Sequence, residues 1–187
     1  MKYFIFLIVT VVITVEAGDV CDVTPIYEWS GEPSYRKEIL PNPVKLIIIQ
    51  HTASLDCYSD DRCRTVAKGI RDYHIFERGF DDIGPSFLIG GNGIVYEGAG
   101  WHRVGAHTKR YNNRSIGISF MGNFQSKLPT SKALQAAENL IRCGVTSKYL
   151  TEDYLLVGHQ QLTSTGSPGR ELQAYIEIWS HWVKIVQ

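Results

Sequence analysis

"VKLIIIQHTA", residues 44–53, decides the architecture. Its run of β-branched residues and leucine reads as a buried central strand, and it ends abruptly in the polar residues Gln50, His51 and Thr52. Downstream, "TVAKGIRDYHIFERG" (65–79) places Val66, Ile70, Tyr73 and Ile75 or Phe76 near helical spacing and closes on Gly79. "PSFLIGGNGIVYEGAGW" (85–101) reads as two short strands around Gly-Gly-Asn-Gly, a hairpin signal. "SIGISFMGNF" (115–124) is a second buried strand, and "YLLVGHQQ" (154–161) a strand running into a loop. "TSKALQAAENLIRCGVTSKY" (130–149) opens on an N-cap candidate, Thr130 or Ser131, and "GRELQAYIEIWSHWVKIV" (169–186) reads as a final amphipathic helix. Strands alternating with helices specify one α/β domain, a central mixed sheet flanked by helices. The stretch before it, 18–43, contains proline, lacks periodicity and reads as an extended segment, leaving 44–187 as the folded domain.

The chain has 187 residues, 44% hydrophobic and 20% charged, enough for one domain with a real core. Lysine plus arginine equals aspartate plus glutamate at 19 each, so charge gives no reason to expect a nucleic-acid or anionic-membrane partner. The N-terminus, "MKYFIFLIVTVVITVEAGDV", has Lys2, an apolar run from Tyr3 to Val15, and small residues at Val15 and Ala17. That is the layout of a secretory signal peptide over 1–17, cut after Ala17; the run is short for a membrane span. The expected protein is secreted and extracellular. Its four cysteines, Cys21, Cys57, Cys63 and Cys143, then suggest disulfides. Cys57 and Cys63 bracket a short polar loop and pair easily, which would leave Cys21 with Cys143; four cysteines still allow three pairings. No CxxC spacing supports a zinc cluster.

His51 and Thr52, His74, His107, Asn112 and His159 are read as falling where strands or hairpins end. In open α/β sheets, ligand clefts form at strand ends. A lone histidine there is more often a satisfied loop residue than a functional one, but four at comparable places favour a shared cleft.

"DIGPSFLIGGNGIVYEGAGW", "GAHTKRYNNRSIGISFMGNF" and "GHQQLTSTGSPG", in that order, resemble the peptidoglycan recognition proteins, from about Trp29 to Trp182. The resemblance implies the fold of the N-acetylmuramoyl-L-alanine amidases and, for a short secreted chain with a local Cys57–Cys63 pair, an insect-type member that serves Toll signalling. Amidase members of that family bind zinc through two histidines and a cysteine, with a tyrosine beside the zinc-bound water. Carried over, those positions read Gln50, His159 and Ser167, with Pro85 in place of the tyrosine. Glutamine is a poor, neutral zinc ligand, and a serine hydroxyl keeps its proton and lacks the softness of a thiolate. Proline has no group to assist a water. The expectation is no zinc, no other cofactor and no zinc-dependent amidase activity. The rival reading is a peptidoglycan hydrolase using His159 and Ser167 as base and nucleophile, or atypical metal ligation; no third, orienting acid is evident for such a pair.

By the same resemblance, the peptidoglycan groove uses His51, Thr52, His74, Arg78, Gly79, Phe80, Trp101, His107, Asn112, Arg114 and His159. Imidazoles and an amide match the amides, carboxylates and sugar hydroxyls of a muramyl peptide, and Phe80 and Trp101 offer apolar walls, although Trp101 reads equally well as core. In the family, Gly-Trp after the first helix goes with diaminopimelate stems and Asn-Phe with lysine stems; Gly79-Phe80 is half of each. Arg114 stands where an arginine can pair with the extra diaminopimelate carboxylate, but it lies inside the N-glycosylation sequon Asn113-Arg114-Ser115. The expected partners are bacterial peptidoglycan and proteins of an immune signalling cascade. An adaptor that has lost ligand binding is a third reading, against which the retained groove residues count.

Overall fold

A computed structural model describes residues 21–186; the expected leader over 1–17 and the start of the mature chain lie outside them. Six strands form one mixed sheet in the order β1-β4-β3-β5-β2-β6: β1 Val23–Thr24, β2 Val44–His51, β3 Phe87–Ile89, β4 Val95–Glu97, β5 Ser115–Phe120 and β6 Leu150–Gly158. Only β3 and β4, the hairpin, pair antiparallel. β2 lies between β5 and β6, both parallel to it, and so is hydrogen-bonded on both edges, which fits its unbroken Ile47-Ile48-Ile49 core.

Strand alternation sends successive side chains to opposite faces. Ile47, Ile49, Phe87, Ile89, Ile116 and Ile118 meet α3 (Ser131–Thr146) and α4 (Arg170–Ile176) in the main core. α3 supplies Ala133, Leu134, Ala137, Leu140 and Ile141, a helical stripe begun by Thr130, whose side chain accepts the Ala133 N–H at 3.2 Å. On the other face, Leu88 and Tyr96 pack with α1 (Ile26–Ser30) and α2 (Asp60–Asp72) in a second core, while Leu46, Ile48 and Val157 form a smaller one.

Three elements differ from the sequence reading. The segment before Val44 is not simply extended: Val23–Thr24 pairs with β4, and Ile26–Ser30 is helical between Pro25 and the left-handed Gly31 (φ 84°). Glu97 explains this, accepting the Ile26 N–H on its carboxylate and the Trp29 indole N–H on its carbonyl. The first long helix becomes π-helical over Tyr73–Glu77, so His74 sits on a widened turn. The last helix stops at Ile176; beyond it the chain turns back, donating from Val183 N–H to Leu156 O and accepting at His181 O from Leu156 N–H. Those bonds cover the edge of β6, a demand that apolar periodicity does not reveal.

Disulfides join Cys21 to Cys143, across 122 residues, and Cys57 to Cys63, across 6. Chain-entropy reasoning makes the long loop worth about 5 kcal/mol against about 2 for the short one. The long bridge fastens the N-terminal segment to α3; the short one sits in the second core at the start of α2.

Beneath α2, Arg71 makes a two-pronged pair with Asp82, Nε to Oδ1 at 2.8 Å and Nη2 to Oδ2 at 3.1 Å, both side chains buried. Arg71 also donates to Ser30 Oγ at 2.6 Å and to Pro33 O at 2.9 Å. Arg71→Met strands the Asp82 carboxylate in the interior, and urea unfolding is expected to show a loss of about 3–5 kcal/mol. Arg71→Met combined with Asp82→Leu is expected to lose less than Arg71→Met alone, because no charge is then left unpaired.

Candidate functional site

The parallel strands β2, β5 and β6 all end toward the same side, and the loops leaving them border a cleft of about 650 Å³ against α2. Gln50 continues the Leu46–Ile48 face of β2, so the cleft opens on the α2 side of the sheet, away from α3 and α4. The cleft gathers His51, Thr52, His74, Arg78, Phe80, His107 and His159, together with Gln50, Pro85 and Ser167. α2 turns two stripes to different tasks. Cys63, Ala67 and Arg71 face the core, while Val66, Ile70 and Tyr73 line the cleft. The helical spacing of those three residues was legible, but a cleft wall and a core face have the same period.

Four residues stand elsewhere. Trp101 is core: it lies 4.6 Å from the Phe87 ring and stacks on Tyr149 at 5.1 Å. Asn112 works behind the cleft, its Oδ1 accepting the N–H groups of His107 at 3.0 Å and Thr108 at 2.7 Å. Arg114 lies over the Tyr111 ring at 4.7 Å and is not part of the cleft wall. Gly79 is the left-handed residue (φ 64°) after the π-helical turn, and it sends Phe80 into the cleft.

Two of the imidazoles are held by backbone N–H groups. His51 Nδ1 accepts the Phe124 N–H at 3.2 Å, and His74 Nδ1 accepts the Gly84 N–H at 3.0 Å. An accepting Nδ1 places the proton on Nε2, so both rings keep Nε2–H as their free donor. His107 lies directly over Gly117, where a Cβ would stand 2.5 Å from its Cγ. Its Nε2 is shielded from solvent and has no protein partner. Burial lowers the pKa of His51. Burial, then Arg78 and Arg36, lowers His74 to about 4. Burial, then His159 and Arg36, lowers His107 to about 3. Burial, then His51, lowers His159 to about 4. At neutral pH the cleft therefore presents uncharged imidazoles. The residues lining it include one charged side chain, Arg78, which stands over the Phe80 ring at 5.7 Å, and no carboxylate.

Gln50 Nε2 donates to His107 O at 3.0 Å and Thr108 Oγ1 at 3.3 Å, and Ser167 Oγ accepts the His51 N–H at 3.0 Å. Among the described residues, no group of three or more His, Cys, Asp or Glu side chains is placed to hold a metal ion. With the Gln50 amide nitrogen turned to a carbonyl and the neutral Ser167 hydroxyl taken up by the His51 N–H, this donor set does not fit zinc.

The family model for N-acetylmuramoyl-L-alanine amidase matches residues 40–170, which places the chain in that fold class. A peptidoglycan recognition protein of Trichoplusia ni is 48% identical over 179 residues, 96% of this chain and 97% of that one. The structure of Manduca sexta peptidoglycan recognition protein-1 superposes with a TM-score of 0.86 at 46% identity, covering 89% of this chain and 95% of that one. The human protein PGRP-IBETAC, solved in complex with glycosamyl muramyl pentapeptide, gives 0.83 at 38% identity, covering 87% and 98%. The chain belongs to the peptidoglycan recognition proteins.

The lowered imidazole pKa values carry a stability consequence. Below pH 6.5 the unfolded chain takes up protons that folded His74, His107 and His159 refuse until about pH 4, 3 and 4. Their contribution is therefore complete above pH 6.5 and lost as pH falls through that window. Tm is expected to fall between pH 7.5 and 4.5, and to fall less in His74→Gln, which cannot titrate. A Tm slope unchanged by the substitution would contradict the assignment for His74.

Proposed function

We propose that this protein is a secreted receptor that holds bacterial peptidoglycan in the cleft and passes the signal to protein partners of an immune cascade, of the Toll type, without zinc amidase activity. The cleft itself carries the reading. It has room for a muropeptide, offers imidazole Nε2–H groups and one arginine to its amides, hydroxyls and carboxylates, and sets no carboxylate against an anionic stem. The ligand in the complex of the human relative, a glycosamyl muramyl pentapeptide, belongs to that chemical class. His51, Thr52, His74, Arg78, Phe80, His107 and His159 are assigned to ligand contact, with Gly79 and Asn112 shaping the loops that carry them. The absence of amidase activity is inferred from Gln50, Pro85 and Ser167 at the family's catalytic positions.

Secretion follows from the leader over 1–17 and suits a chain with two disulfides. Asn113 is exposed and its sequon starts on a short 3-10 turn, so it is assigned as an N-glycan site of the exported protein. Expression in insect cells is expected to yield medium protein beginning at Gly18 or Asp19, with a mass that drops on glycosidase treatment and in Asn113→Gln.

The deciding experiment incubates the secreted protein with insoluble lysine-type and diaminopimelate-type peptidoglycan, with and without EDTA. Protein in the pellet, with no fragments in the supernatant and no effect of EDTA, is the expected result. Failure to pellet with either polymer refutes the receptor. Fragment release abolished by Ser167→Ala or His159→Ala would make the protein a hydrolase instead.

A further inference from the structure

Gln50 and Ser167 are both nearly buried, 4% and 6% exposed, and both are committed to hydrogen bonds that shape the cleft floor. We infer that they form a metal-independent clasp, acting as positioning residues that set His107 and His51 for ligand. The inference rests on the proposed peptidoglycan reading for its ligand, but its hydrogen bonds can be tested without one.

The need for Ser167 follows from the sheet. β6 pairs with β2 only as far as Ile49↔Gly158 and then coils into a 3-10 turn at His159. On the opposite edge, pairing with β5 continues to His51↔Phe120, and the Thr52 N–H reaches Phe120 O at 3.0 Å. Successive N–H groups along a strand point to opposite edges, so the His51 N–H points to the edge that β6 has already left. Ser167 Oγ supplies the acceptor that the strand no longer provides. The same residue's Nδ1 is fixed by the Phe124 N–H, so His51 is held at both backbone and ring.

Gln50 does the corresponding work for His107. The loop carrying it is fixed at its N–H groups by Asn112 Oδ1, while His107 O and Thr108 Oγ1, which also meets His107 Nδ1 at 3.2 Å, face the end of β2. One amide nitrogen with two hydrogens serves both. A glutamate of the same length would aim an acceptor at a carbonyl. The clasp therefore joins the end of β2 to the 105–108 loop on one side and to the 162–168 loop on the other, using only protein donors and acceptors.

Ser167→Thr and Ser167→Val test the hydroxyl at constant shape, and Gln50→Met and Gln50→Glu test the amide. Amide exchange at His51 is read by NMR in the free protein, and affinity for a soluble muropeptide by calorimetry, with EDTA and with added zinc. We expect Ser167→Val to exchange the His51 amide about tenfold faster than Ser167→Thr and to bind the muropeptide about tenfold more weakly, the scale of one lost hydrogen bond. Both Gln50 variants should weaken binding on a similar scale at temperatures where near-ultraviolet dichroism is native. Wild-type affinity and Tm should be indifferent to EDTA and to zinc. Equal His51 exchange in the Thr and Val variants, or a wild-type Tm that EDTA lowers, overturns the clasp. Should Ser167→Val not fold while Ser167→Thr does, the hydroxyl is needed at that buried site, and the Gln50 arm decides the effect on ligand. A wild-type protein that binds no muropeptide but shows the expected exchange difference sinks the ligand reading and leaves the clasp standing.

Discussion

The Asp82 carboxylate is the point on which the cleft side of the molecule depends. It is fully buried and takes two hydrogen bonds from Arg71 on α2, one from the Tyr35 N–H at 2.8 Å and one from the Ile83 N–H at 2.7 Å. A buried charge is tolerated only when its lone pairs are so occupied. Satisfying them draws the N-terminal segment, α2 and the turn before β3 to one place. Arg36, buried nearby, donates to Asp82 O, Ile83 O and Val104 O, extending the knot to the loop that carries His107. From Ile83 the path to the cleft is one residue long. The Gly84 N–H orients His74 while its carbonyl accepts the Ala106 N–H at 2.7 Å, and a Cβ at Gly84 would lie 2.7 Å from Ala106 O. The position of His74, and the anchoring of the loop that leads to His107, thus trace back to a buried charge pair away from the cleft lining.

That arrangement explains which parts of the molecule were legible in sequence. Strands β2 and β5 announce themselves because they are buried on both faces, and α3 because its apolar stripe has a cap at Thr130. The helix at Ile26–Ser30 is too short for its buried Ile26 and Trp29 to make a readable period, and Glu97, 71 residues away from Ile26, meets its first N–H. The end of the last helix is likewise decided at a distance, by the open edge of β6. Local pattern finds elements whose stability is local, and it misses those completed by a long-range partner.

The site divides in the same way. Histidines at strand ends pointed to the cleft, and seven of the residues assigned to it by resemblance do line it. Trp101 and Asn112 show the limit. A tryptophan after a hairpin serves equally as core or groove wall, and Gly144 settles the matter by leaving room for the ring, with a Cβ there 2.5 Å from Trp101 Cη2. Asn112 and Asn113 are adjacent and chemically identical, yet one side chain is spent on two backbone N–H groups and the other is exposed. No sequence rule separates them, because the acceptor role depends on how the 107–108 turn closes.

The electrostatics of the cleft argue against a general-base role for its histidines. A histidine that serves as a general base works best with a pKa near the working pH, and in a triad it is steadied by an acid. Here burial and neighbouring positive groups drive three imidazoles well below that range, and no carboxylate lines the cleft to draw any of them back. What such rings retain is a fixed N–H donor of low charge, held by Phe124 and Gly84 for His51 and His74. A donor of this kind suits amide oxygens and sugar hydroxyls, and it binds them without the pH dependence that a proton-transferring histidine would bring. Arg78, the single cation of the lining, adds one point of charge complementarity to an anionic group beside these neutral donors.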